Sequence, residues 1–193
     1  MAGKIIITRE QYLDSIRQLS AGAKDLAARY DMNQLTWQPA AGERWSILEC
    51  LDHITVSAGL TLGAMDRVIS DARPAGTRGA AFSSGGAFSA WFTHSLEPPP
   101  SRKVHAPRKF HPRPTLNPDG ILPQFQRMLD RISALVASSS DKDLNSVRYP
   151  NPLLPVLRFT VASGLLMFAA HARRHLWQAE QVTREPDFPQ SRS

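Results

Sequence analysis

Apolar residues recur at steps of three and four in four separate stretches of the chain, and this period predicts four amphipathic helices. The stripes are Tyr12, Ile16, Leu19, Ala23, Leu26 and Tyr30; Ile47, Leu51, Ile54, Ala58, Leu62, Met65 and Ile69; Leu122, Phe125, Leu129, Ile132 and Val136; and Val161, Leu165, Phe168, Ala172, Leu176 and Ala179. No polar–apolar alternation competes with them, so the pattern predicts no strand. Because four such helices bury their stripes against one another, we expect an all-α four-helix bundle, one domain over residues 1–193.

The starts of the first two predicted helices carry capping signals. Thr8 is followed three residues later by Gln11, and Ser46 by Glu49, which is the spacing of a capping box. The fourth helix is expected over about residues 160–184, since a proline follows it.

Two connectors separate the predicted helices. The first, 31–42, contains Pro39 and Gly42, which stop a helix. The second, 73–118, is a long irregular loop between the second and third helices, rich in glycine, serine and proline. Its aromatic island, AFSAWFTHSL, is compatible with a short helix. A loop of this length in a compact domain is usually functional or packed over another part. The third helix should begin within 117–123.

Composition places the chain among ordinary globular domains. It has 193 residues, of which 42% are hydrophobic and 21% charged, enough for one domain with a core. No apolar run is long enough to span a bilayer, and the N-terminus lacks the features of a signal peptide. The single cysteine, Cys50, fits a reducing compartment. We therefore expect a cytoplasmic protein without a membrane partner.

The formal net charge of +6 raises the question of an anionic partner. Much of the excess lies in one proline-interleaved segment, 102–113, and no nucleic-acid-binding motif accompanies it. A solvated basic loop explains this pattern, so no nucleic-acid partner is expected.

Three histidines carry the chemical information. His171 and His175 are four residues apart within the fourth predicted helix, so their side chains project from one face. His53, on the second helix, is a candidate third ligand. Three neutral imidazoles leave one tetrahedral position of a divalent metal open, as in catalytic sites. The pair lacks the glutamate of the H-E-x-x-H motif, and spacing alone also allows histidines at the edge of the core that bind no metal.

Several neighbours of these histidines are candidates for supporting roles. Glu49 and Gln178 each lie one helical turn from a histidine, where a side chain can fix a ring tautomer. Arg174 is a candidate for holding an anionic substrate, although a solvated helix face is the alternative. Cys50 lies near His53 but is more typical of a small buried apolar residue. No catalytic residue is assigned.

Three segments carry a family resemblance that extends over nearly the whole chain: LTWQPAAGERWSILECLDHI, KVHAPRKFHP and FAAHARRHLWQAEQV. With them, the chain resembles the DinB superfamily, including its YfiT-like metal-dependent hydrolases. The resemblance implies a four-helix bundle, often dimeric, with a metal bound by His53, His171 and His175. The metal is expected to be zinc or nickel, with iron or manganese as further possibilities.

The resemblance also implies two reactions at one site. Characterised relatives look like thiol S-transferases or thiol-dependent isomerases that use a low-molecular-weight thiol such as bacillithiol or mycothiol. A metal with an open position activates either a thiol or a water molecule, so S-transfer and hydrolysis of a small molecule are both expected candidates. The alternatives are a bundle that binds a metal or ligand without catalysis, and a metal-free bundle that acts through its basic loop.

Overall fold

The structure, a computed structural model, describes residues 3–76, 81–100, 107–152 and 156–190. Within these ranges the chain is mostly helical, and every segment with a strong helical period forms a helix. The helices are α1 (Arg9–Ala28), α2 (Met32–Thr36), α3 (Ile47–Ile69), α4 (Ala87–Ser95), α5 (Pro118–Ser138) and α6 (Val161–Val182). The strands are β1 (Ile6–Thr8), β2 (Ala81–Ser83), β3 (Arg148–Pro150) and β4 (Arg158–Thr160).

Capping boxes start α1 and α3 where the sequence predicts them. At α3, the backbone N–H of Ser46 donates to the Glu49 carboxylate at 2.7 Å, and the N–H of Glu49 donates to the Ser46 hydroxyl at 3.2 Å. A third capping box, Asp31 with Gln34, starts the short helix α2. The connector predicted over 31–42 is therefore partly helical, because a five-residue helix is too short to show a period.

The four long helices pack with an order that differs from the order of the chain. Helices α1 and α3 each pack against both α5 and α6. Going around the bundle, the order is thus α1, α5, α3, α6, and the connections from α1 to α3 and from α5 to α6 cross it diagonally. This order makes α3 and α6 direct neighbours, although 91 residues separate them in the chain, between Ile69 and Val161.

The predicted stripes form most of the core. Their residues near the helix centres are buried, whereas Leu122 at the start of α5 is only partly buried and its neighbour Ile121 takes the core position. Gly164 on α6 lies against Met65 of α3 and Tyr149 of β3. A Cβ atom at Gly164 would lie 2.4 Å from Met65 Cε and 2.7 Å from Tyr149 Cε1. The glycine therefore allows a closer approach than any side chain would permit.

The prediction that the chain has no strand is wrong for four segments of three residues. Strand β1 pairs antiparallel with β2, placing Ile7 opposite Phe82, and β3 pairs antiparallel with β4, placing Tyr149 opposite Phe159. Three residues are too few to show an alternating pattern, and the β1–β2 pairing joins positions far apart in the chain. In the loop predicted over 73–118, the described residues include β2, the helix α4 and a 3-10 turn at Arg108–Phe110.

No helix in the described ranges has both the length and the apolar character that crossing a bilayer requires.

Candidate metal centre

Three imidazoles converge where α3 and α6 pack side by side. The Nε2 atom of His171 lies 3.2 Å from Nε2 of His53 and 3.0 Å from Nε2 of His175. Metal–imidazole bonds of about 2.0–2.1 Å at tetrahedral angles place two ligand nitrogens about 3.3–3.4 Å apart. These two distances are within a few tenths of an ångström of this value, and all three ligand atoms lie within 4.8 Å of one another, so the cluster can hold a single divalent cation.

The local sequence explains this convergence. His171 and His175 are one turn apart on α6, which places both rings on the same face. His53 lies about two turns after Ser46, the N-cap of α3, so it is near the start of that helix. His53 is 2% exposed and His175 is 8% exposed, whereas His171 is partly buried. The cluster therefore lies at the edge of the core.

The backbone carbonyl of Phe110 fixes the tautomer of His53. This carbonyl is an acceptor, and it contacts Nδ1 of His53. In the neutral ring, Nδ1 must then carry the proton, which leaves the lone pair of Nε2 directed at the other two histidines. On the opposite side, Nδ1 of His175 is buried and has no well-formed hydrogen bond to the described residues.

Burial keeps the three rings neutral. Desolvation lowers the pKa of His53 from 6.5 to about 4, although its bond to the Phe110 carbonyl acts in the opposite direction. Desolvation also lowers the pKa of His171 to about 3, helped by His53 and the charge of Arg174. The pKa of His175 is lowered as well, chiefly by desolvation. Metal binding requires neutral imidazoles, so the site is in its binding form at neutral pH.

Acidification of the metal-free protein should therefore lower its stability. In the unfolded chain the histidines regain a pKa of 6.5, so below that pH the unfolded state binds more protons than the folded state. The stability they contribute is complete above 6.5 and is lost as the pH falls towards their folded pKa values. We expect a loss of up to about 2 kcal/mol per histidine from about pH 7 to about pH 5, measured by urea unfolding. His53→Gln should reduce this loss, and an unchanged profile would contradict the neutral assignment.

Trp45 covers the histidine cluster. Its ring centroid lies 4.6 Å from that of His53, 5.8 Å from that of His175 and 6.1 Å from that of His111. Beyond Trp45, an open groove of about 400 Å³ runs along the start of α3 and is lined also by Glu49, His111 and Arg113. This volume lies within the range of small-molecule sites, but the groove is open to solvent and its lining does not include the three histidines.

The comparisons with known proteins identify the family and a similar fold. The model of the DinB superfamily matches residues 8–179. The chain belongs to the DinB superfamily. Among solved structures, it is similar to YfiT from Bacillus subtilis, with a TM-score of 0.58, 15% identity and coverage of 91% of this chain and 86% of that one. That protein is described as a probable metal-dependent hydrolase with an unusual four-helix bundle topology. A search of curated proteins gives no match.

In this DinB-superfamily chain, the predicted supporting residues Glu49 and Gln178 differ in their relation to the three imidazole rings. The Glu49 carboxylate accepts hydrogen bonds from the Gln38 amide at 2.8 Å and from the backbone of Ser46, and makes none to the three rings in the described ranges. The carbonyl of Phe110 therefore has the role that the sequence suggested for Glu49. Gln178 lies close enough to favour the charged form of His175, without a well-formed bond to its Nδ1.

Arg174 and Cys50 also differ in their relation to the cluster. Arg174 is close enough to His171 and His175 to lower the pKa of both, after the larger effect of desolvation. Its Nη1 donates to the carbonyl of Ser95 at 3.3 Å. Cys50 is fully buried in the core, and burial raises the pKa of its thiol, so it has the properties of a small apolar residue.

Sequence reasoning missed three contributors to the site. The missed contributors are Trp45, His111 and the backbone carbonyl of Phe110. His111 is exposed, yet its ring contacts that of Trp45, and it adds to desolvation, the largest cause, in lowering the pKa of His53. The Phe110 carbonyl has no sequence signal at all, since every residue has a carbonyl. Only the resemblance of the KVHAPRKFHP segment pointed to this part of the chain.

Proposed function

We propose that this protein is a metal-dependent enzyme that acts on a small molecule at the centre formed by His53, His171 and His175. The observation that carries this proposal is the convergence of three Nε2 atoms, with separations of 3.0 and 3.2 Å along the cluster. In a pair of neutral imidazoles at this distance, the N–H of one ring can donate to the lone pair of the other. A third ring that converges on the same point has no further hydrogen-bond partner of this kind. A cation resolves this arrangement, because it accepts all three lone pairs at once. Zinc or nickel suits the donors best, and iron or manganese is the next choice.

The protein side of the chemistry follows from the surroundings of the cluster. A divalent metal held there supplies a Lewis acid that activates a thiol or a water molecule. The fixed tautomer of His53 presents its lone pair without reorganisation, and Trp45 shields two of the rings from solvent. Arg174, whose charge acts on His171 and His175, is our candidate for attracting an anionic group of the substrate.

Two reactions are compatible with this centre. Hydrolysis is supported by the description of YfiT as a probable metal-dependent hydrolase. Transfer of a low-molecular-weight thiol to an electrophile is supported by the family resemblance and by the open groove beside Trp45, which has room for a second small molecule. A cytoplasmic location and a homodimer stay predictions.

Metal analysis tests the proposal most directly. We expect protein purified without a metal-binding tag to contain about one divalent metal ion per chain, by elemental analysis. Chelation should abolish turnover of a panel of esters, amides and thiol–electrophile pairs, and the metal should restore it. Metal binding without any turnover would favour a non-catalytic binding protein, and a chain that takes up no metal would contradict the proposal.

A further inference from the structure

The segment 107–116, which we call the strap, passes over the end of α3 that bears His53. It starts with the 3-10 turn that ends at Phe110, and its residues from His111 onward form one wall of the groove beside Trp45. The strap is fastened beside the cluster by the side chain of Phe110, which is 6% exposed. The carbonyl that sets the tautomer of His53 therefore belongs to a loop, and its position depends on what holds that loop.

An ion pair attaches the strap to the residue next to His53. Asp52 is fully buried, and its carboxylate accepts a hydrogen bond from the backbone N–H of Arg113 at 2.8 Å. The Arg113 guanidinium donates to both oxygens of the same carboxylate, through Nε at 3.0 Å to Oδ1 and 3.3 Å to Oδ2, and through Nη2 to Oδ1. Bidentate geometry of this kind fixes direction as well as distance. Because Asp52 precedes His53 on α3, the pair ties the strap to the backbone that carries the metal-site histidine.

We propose that Asp52 and Arg113 are positioning residues, which set the metal affinity of the centre by holding the Phe110 carbonyl against Nδ1 of His53. Neither side chain bonds to a histidine of the cluster in the described ranges. Their effect passes through the two strap residues that lie between Arg113 and Phe110. This inference rests on the proposed function for its consequence, the metal affinity, but the tautomer of His53 is a property of the metal-free protein.

The test uses Asp52→Asn and Arg113→Ala in the full chain. Asp52→Asn removes the charge while keeping an oxygen that can accept from the backbone of Arg113, whereas Arg113→Ala leaves a buried carboxylate without its partner. We expect both variants to weaken zinc binding by about 10–100-fold, the loss typical of removing a partner that orients a ligand, measured by competition with a chromophoric chelator. In the double variant the loss should not exceed that of the larger single variant by more than about two-fold, because the pair acts as a unit.

A second measurement separates positioning from general structural damage. Long-range ¹⁵N–¹H correlation spectra of the metal-free protein at about pH 8 report which ring nitrogen of His53 bears the proton. We expect Nδ1–H in the parent protein and a mixture of tautomers in both variants. The matched control is Arg131→Ala, which breaks the exposed pair of Arg131 with Asp66 between α5 and α3. It should leave zinc affinity within about two-fold of the parent and the tautomer unchanged.

The outcomes distinguish the two proposals. If the folded variants bind zinc within two-fold of the parent, or if their His53 keeps the Nδ1–H tautomer while affinity falls, the positioning role is wrong. If Asp52→Asn does not fold, Arg113→Lys, which keeps the charge but loses the bidentate fork, provides the same comparison. If the parent protein binds no metal, the proposed function fails, whereas the tautomer spectra still decide whether the pair positions the Phe110 carbonyl.

Discussion

Replacing His171 by alanine is expected to lower zinc affinity by more than about 100-fold, beyond the loss typical of partners that only orient a ligand. His171 is the central ring of the cluster, since its Nε2 atom contacts Nε2 of both His53 and His175. Its loss leaves two nitrogens, too few for a tight site with this donor set. Competition with a chromophoric chelator measures the affinity, and turnover with the active substrate should fall in parallel.

His94→Ala is the matched control for this experiment. His94 lies at the end of α4, its Nε2 contacts the carbonyl of Gly3, and it is not one of the three histidines that converge. The substitution removes the same imidazole group, so zinc affinity should stay within about two-fold of the parent. Equal losses in the two variants would mean that the chain binds zinc through scattered histidines, and the assignment of the centre would be wrong.

Gly164→Ala is expected to destabilise the protein by about 1–3 kcal/mol, the usual cost of forcing extra volume into a packed core. The new Cβ would lie 2.4 Å from Met65 Cε and 2.7 Å from Tyr149 Cε1. The methionine end can move, but the Tyr149 ring is held in the core at 2% exposure. The better helix propensity of alanine, about 1 kcal/mol, offsets part of this cost. Urea unfolding followed by circular dichroism measures the change.

Gly63→Ala on α3 provides a control of opposite sign. A Cβ at Gly63 meets nothing within 4 Å, so only the helix-propensity gain remains. We expect this variant to be more stable than the parent by about 0.5–1 kcal/mol. If both variants were stabilised, the close contact between α6 and Tyr149 would not exist as described.

The sequence predicts the long helices well because each is decided locally. The Ser46–Glu49 capping box and the apolar period of α3 act within a few residues, and the structure confirms both. Strand β1 could not be predicted, because its three residues make their hydrogen bonds with β2, which follows α3 in the chain. Pairings between distant segments are decided by packing, and a short segment carries no period that records them.

The candidate site also has one part that local spacing predicts and another that depends on how distant segments pack. The spacing of His171 and His175 predicts a shared helix face, and the helix α6 places them there. That His53 meets them depends on which helices become neighbours, so the residues alone make it only a candidate third ligand, and the family resemblance adds support. The roles of Trp45 and of the Phe110 carbonyl could not be predicted, because they depend on how a connector folds over the bundle. The role of a backbone carbonyl in particular cannot be recognised from the sequence, because any residue type can supply it.

The neighbouring positions of α3 and α6 also set the time at which the centre can form. His53 and His171 are 118 residues apart in the chain. During translation, a growing polypeptide that has completed α3 carries one of the three imidazoles, and the other two emerge only with α6. A cation can be captured only by a chain that has been synthesised through its last long helix and has docked that helix. Metal loading of the proposed centre would therefore be a late event in biogenesis, and it would distinguish a complete bundle from a partly made one.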